Sequence, residues 1–154
     1  MQKYIGTKLI EASPMRLGQY NAYRGWKIPD NENTEKEGYL VRYPDGYESW
    51  SPKEIFDQAY LAVEDNKELP SGVSIGPKMV AEFVSSIETK TMGEKTTVVR
   101  CVLRNGFEIW ETSTCVDPRN YNQEIGEQIC MERIENKIWE LLGFMLQTAW
   151  HGIR

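Results

Sequence analysis

The chain has 154 residues, 40% of them hydrophobic and 27% charged, with a formal charge of −5. That length suits one compact domain or two small ones, and the composition is too apolar and too weakly charged for a disordered chain. The acidic balance argues against a nucleic-acid polymer as partner, because phosphate-backbone contact favours a basic footprint. No apolar run approaches the roughly 20 residues that cross a bilayer, and Met1–Lys8 lacks an apolar signal-peptide core, so a cytoplasmic protein without membrane contact is expected.

Reactive side chains are scarce. The three cysteines, Cys101, Cys115 and Cys130, are scattered, and the single histidine, His151, lies close to the C-terminus. There is no CxxC or HExxH pattern to hold a metal, and no GxGxxG or Walker A run. The 23 Asp and Glu residues fall in no motif with defined acid–base spacing. The expectation is a non-enzyme with no cofactor and no metal.

In chain order, Tyr4–Glu11 reads as a strand. Ser13-Pro14 reads as a helix start, with Gly25 ending that helix after Arg24. Pro29–Glu37 is polar and reads as a loop. Tyr39–Tyr43 and Tyr47–Trp50 flank Pro44-Asp45-Gly46, which predicts a hairpin with a three-residue loop and a left-handed Gly46. Pairing Tyr43 with Tyr47 sets Arg42 opposite Glu48 and Leu40 opposite Trp50, and groups Tyr39, Val41, Tyr43 and Tyr47 on the other face. Ser51-Pro52-Lys53-Glu54 has the form of a capping box launching a helix to about Ala62.

Residues 65–76, polar with Pro70, Gly72 and Gly76, read as a linker between an N-terminal unit (1–64) and a second unit (77–154). Pro77–Glu88 predicts a short helix with Met79, Val80, Phe83, Val84 and Ile87 on one side. Thr96–Arg104 and Phe107–Cys115 flank Asn105-Gly106, a strong hairpin signal. A two-residue loop there pairs Val102 with Ile109, Cys101 with Trp110 and Arg100 with Glu111. Both faces of that hairpin are partly apolar, which calls for a second layer, a neighbouring subunit or a ligand. Asp117-Pro118 opens a helical region, Asn120 or Asn122 supplies its cap, and the helix runs to about Leu146 on a stripe of Ile125, Ile129, Ile134, Ile138, Leu141, Leu142 and Met145. Gly126 suggests close backbone approach and Gly143 a bend. The fold class is α+β: a small antiparallel hairpin/helix module, then a helix, a β-hairpin and a long C-terminal helix, with an oligomer expected.

Two cations on the long helix, Arg133 and Lys137, are four residues apart and share a face. Beside an aromatic such as Phe107 or Trp110 they have the chemistry to grip a phosphate-bearing ligand, although pairing with Glu132, Glu135 or Glu140 on a solvated face is the simpler alternative.

The run Val98–Phe107, then Cys115-Val116-Asp117-Pro118, Asn120-Tyr121-Asn122, Glu124-Ile125-Gly126 and Lys137–Leu141, resembles a family of small tailed-phage proteins known as gene product forty-nine / gene sixty-six. The resemblance covers roughly residues 76–147. The run from Gly38 to Phe56 resembles another recurrent phage module that carries no assigned activity. The second half is also similar to the Thoeris anti-defence protein one group, phage proteins that bind cyclic ADP-ribose signals of bacterial immunity. Those proteins sequester the signal without cleaving it, in pockets between protomers of an oligomer. The resemblance implies a cyclic nucleotide ligand in the host cytoplasm, with Phe107, Asn120, Asn122, Arg133 and Lys137 as the positions that match a nucleotide pocket. Lys137 stands where a second Arg would make a fork, and the N-terminal module is an addition. The competing expectation is a protein-interaction module that docks through the tyrosine-rich face of the first hairpin.

Overall fold

The computed structural model describes residues Met1–Arg154, which form two compact units. Residues 1–62 and 147–154 make the first, and residues 63–146 make the second.

In the first unit, β1 (Glu11–Pro14), β2 (Gly38–Arg42) and β3 (Glu48–Pro52) form an antiparallel sheet in that order. The hairpin is the one expected: Leu40 faces Trp50, Arg42 faces Glu48, and Gly46 is left-handed at φ 86°. Two earlier elements are displaced. The first strand is Glu11–Pro14 and not Tyr4–Glu11, so Tyr4 and Ile5 are exposed, while Leu9 ties to the sheet's unit through its N–H to the Ala149 carbonyl. Ser13 and Pro14 therefore belong to a strand. The helix α1 (Leu17–Arg24) begins after Arg16, whose backbone N–H donates to the Gln19 side chain, and ends at a left-handed Gly25. Pro14 is tolerated because β1 is an edge strand.

Helix α2 (Lys53–Ala59) also differs from the expected capping box. Ser51 makes no cap; its hydroxyl points to the Pro52 carbonyl, and the helix ends at Ala59 with Tyr60 already extended. Ser51 lies in β3, where pairing with Tyr39 holds it in the sheet. Tyr39 stacks on Phe56 of α2 at 4.1 Å between ring centroids. Tyr47 is the exposed member of the tyrosine face at 64%, whereas Tyr39 and Tyr43 are half-buried.

The second unit opens with a two-residue ladder, β4 (Glu64–Asp65) against β5 (Val73–Ser74). Its Glu64 carboxylate accepts the Met79 N–H, capping α3 (Pro77–Phe83) from strand β4. The expected helix to Glu88 stops at Phe83. Val84–Met92 instead forms β6, a nine-residue strand that pairs with β7 (Thr96–Leu103), which pairs in turn with β8 (Glu108–Thr114). The sheet thus has three strands where two were expected. Turn residues at Gly93 (φ 66°) close the additional hairpin.

The second turn is also longer than expected. Leu103 donates its N–H to the Phe107 carbonyl and Gly106 to the Leu103 carbonyl, so the loop is Arg104-Asn105-Gly106. That shifts the register by one residue: Cys101 faces Ile109, Arg100 faces Trp110, and Val99 faces Glu111. Because side chains alternate, the shift exchanges two faces. Ile109 enters the core with Thr97, Val99, Cys101 and Leu103, whereas Trp110 turns outward and is 56% exposed.

Helix α4 (Gln123–His151) covers the inner face of this sheet and runs beyond the expected end near Leu146. Its fully buried side is Gly126, Cys130, Ile134, Ile138 and Leu142, spaced four apart. Ile125 and Leu141, expected on the stripe, are exposed. At Gly126 the helix lies close against the sheet: an added Cβ would collide with Thr97 Oγ1. The helix passes Gly143 without interruption. No helix is long and apolar enough to cross a membrane.

Candidate functional site

The five candidate residues lie on three parts of the second unit. Arg133 and Lys137 come from consecutive turns of α4 and reach the same point on the edge strand β8. Arg133 donates to the Thr112 carbonyl at 2.8 Å and approaches Glu111 at 4.0 Å, while the Lys137 ammonium bonds the Glu111 carboxylate directly. Glu111 faces inward beside Val99, and only 15% of its side chain is exposed, whereas both cations are about half exposed. Two positive charges against one carboxylate leave this cluster with a net charge of +1 in an acidic chain. The cations meet a strand carboxylate rather than the helix glutamates considered from spacing.

Glu111 is the member that sequence reasoning missed. The two-residue loop had paired it with Arg100 on one face. Arg100 instead sits on the outer face between Glu88 and Glu108, over the Trp110 ring at 5.9 Å. The Arg100 guanidinium and the Trp110 indole N–H hold the Glu108 carboxyl below its ordinary range. In the correct register, an acid at an inward position of an otherwise apolar and hydroxyl-bearing face is the sequence sign of a buried partner for helix cations.

Asn120 and Asn122 lie at the start of α4. Asp117 caps a 3-10 turn, Pro118–Asn120, through the Arg119 N–H, and the Arg119 side chain lowers the Asp117 carboxyl pKa. Asn122 is the working cap of α4: its side-chain oxygen accepts the Ile125 N–H at 3.1 Å. Both asparagines border a cavity of about 120 Å³ together with Thr97, Ser113, Cys115 and Tyr121. The Tyr121 hydroxyl bridges Thr91 and Thr97 at 2.7 and 2.9 Å, a residue pairing that spacing did not reveal. At ~30 Å³ per water the cavity holds about four waters, well short of the ~300 Å³ of a small-ligand pocket. Cys115 donates its thiol to the Asp117 carbonyl, while burial raises the pKa of Cys101 and Cys130 and keeps those thiols protonated.

Phe107 closes the β7–β8 turn, 55% exposed, with its N–H on the Asn105 side chain. Along an extended strand it lies about 13 Å from Glu111, and Asn122 lies about 16 Å along α4 from Arg133. One chain therefore unites the two cations but does not bring Phe107 or the asparagines to them.

In the first unit a cleft of about 280 Å³ is lined by Arg16, Gln19, Glu37, Tyr39 and Lys53. Its cations are engaged with Glu35 and Asp57.

The three-stranded sheet under a long helix coincides with a known sequence family. Residues 75–150 match the family described as Phage protein (N4 Gp49/phage Sf6 gene 66). This part of the chain belongs to that family. The match begins just before α3 and ends within the last turn of α4, so it takes in all five candidate residues. No curated protein and no solved structure matches the chain.

Proposed function

We propose that this phage protein binds a cyclic nucleotide, such as a cyclic ADP-ribose isomer, and withholds it in the host cytoplasm without cleaving it. The observation that carries the reading is the convergence of Arg133 and Lys137 on one carboxylate at the edge of β8. A site that already neutralises Glu111 has the charge to accept a pyrophosphate oxygen in its place, with hydrogen bonds to ionised donors contributing about 1.5–3 kcal/mol each. Phe107 offers a ring for stacking, and Asn120 and Asn122 offer amides to a base or ribose edge. These groups lie apart in one chain, so the reading requires a pocket completed between protomers, as the resemblance to the Thoeris anti-defence group implies. Sequestration needs binding groups alone, which the two cations, the Phe107 ring and the two asparagine amides supply.

The test is thermal shift and calorimetry of the full chain against cyclic ADP-ribose isomers and cyclic oligonucleotides, followed by chromatography of the recovered ligand. The expected result is a stabilising shift with chemically intact ligand. Arg133→Ala or Lys137→Ala should weaken binding by roughly 10-fold or more. Folded protein that shifts with none of these ligands overturns the reading, and cleaved product replaces sequestration with catalysis.

A further inference from the structure

Strand β6 is paired on one side only. It hydrogen-bonds to β7, and its other edge forms no ladder. The strand is nine residues long, contains no proline, and is exposed along most of its length, with Ile87 46% exposed. Edge strands with these properties usually carry a device that prevents pairing; here a register irregularity between Val84 and Ser86 marks the start of the strand, and Ile87–Met92 runs on in unbroken register with its charged residues on the faces. Glu88 and Lys90 both lie on the outer face, two residues apart, with their charges 2.8 Å from each other.

We propose that this edge pairs with the same edge of a second copy of the chain, making a continuous six-stranded antiparallel sheet about a two-fold axis at Thr89. The pleat permits only registers that match inner with inner and outer with outer residues. A two-fold axis at Glu88 would set Glu88 against itself, and one at Lys90 would set Lys90 against itself; like charges directly opposite destabilise a sheet. The axis at Thr89 sets Glu88 opposite Lys90 of the second copy, twice, and Ile87 opposite Thr91. The charge order of one strand thus complements its own antiparallel copy and selects one register. Both α4 helices then lie on the same side of the joined sheet. This interface stands on strand geometry alone and does not depend on ligand binding.

The test uses the full chain in sedimentation equilibrium, with folding followed by circular dichroism. Wild type is expected at no less than twice its 17.9 kDa mass. Lys90→Glu places four acids at the seam and Glu88→Lys four bases, so each variant alone should fall to half the wild-type mass. An equimolar mixture of the two should recover it, because a strand with acids at both positions then faces a strand with bases at both. Thr89→Cys, at the axis, should cross-link to itself under mild oxidation, whereas wild type and Ile87→Cys should not. Wild type that sediments as a single chain overturns the proposal. So do charge variants that keep the wild-type mass, or a Thr89→Cys protein that does not cross-link.

Discussion

Gly126 and Gly143 occupy the same helix and obey opposite constraints. Against Ala, a helix-interior glycine costs about 1 kcal/mol. At Gly143 nothing lies within 4 Å of an added Cβ, so Gly143→Ala is expected to stabilise by about 0.5–1 kcal/mol. At Gly126 the new carbon would collide with Thr97 Oγ1 and lie 2.7 Å from the Thr97 Cβ, on a fully buried side chain. Gly126→Ala should destabilise by about 1–3 kcal/mol, the usual range for overpacking, and also loosen the Thr97–Tyr121 hydrogen bond. Urea unfolding of the two variants checks both signs. The sequence signalled that each glycine was unusual, but only the distance to Thr97 separates a contact point from an unneeded gap.

At the scale of elements, the two hairpins share one device. Tyr43-Pro-Asp-Gly-Tyr47 and Leu103-Arg-Asn-Gly-Phe107 both close a three-residue loop. In both, the Asp or Asn side chain accepts the N–H two residues on. Both glycines are left-handed, at φ 86° and 84°. Gly46→Ala and Gly106→Ala should each destabilise by about 1–2 kcal/mol, with melting temperature as the readout and Gly93→Ala (φ 66°) as a third member of the series. The first loop is legible because Pro44 excludes a tighter turn. Asn105-Gly106 invites a two-residue turn, and the choice between two and three residues depends on which partner fills the core under α4. Burying Ile109 beside Cys101 wins over burying the larger Trp110, and Glu111 then reaches Arg133 and Lys137. Similarly, Pro77 marks a helix start, yet nothing local halts that helix at Phe83. Pairing of Val84–Met92 with β7 does.

Across the whole molecule, carboxylates in both units sit below their ordinary range. Tyr23 and Arg42 lower Glu48, Arg100 and Trp110 lower Glu108, Lys90 lowers Glu88, and Arg119 lowers Asp117. A carboxyl pKa depressed on folding means that the unfolded chain binds more protons in that interval. The associated stability is therefore fully present above the ordinary value of 4.5 for glutamate and is lost as pH falls through the lower folded values. Thermal midpoints should fall between about pH 5 and pH 3 and depend less on pH in about 1 M salt, because these groups are exposed and readily screened. A midpoint independent of pH over that range would show that these pairs contribute nothing.

The sequence by itself determined the local chemistry: the α+β class, both turn positions, Gly25 as a helix end, Asn122 among the possible caps, the shared face of Arg133 and Lys137, and the likeness of the second half to a phage family. Each of these depends on residues within a few positions of one another, where φ preference, capping and helical spacing act directly. The tertiary structure decided the strand at Val84–Met92, the register that turns Trp110 outward and Glu111 inward, and the partner of the two helix cations. Those outcomes compare the burial of one distant side chain with another. The one-residue shift that exchanges the faces of β8 is selected by the packing of the sheet against α4, not by the turn alone.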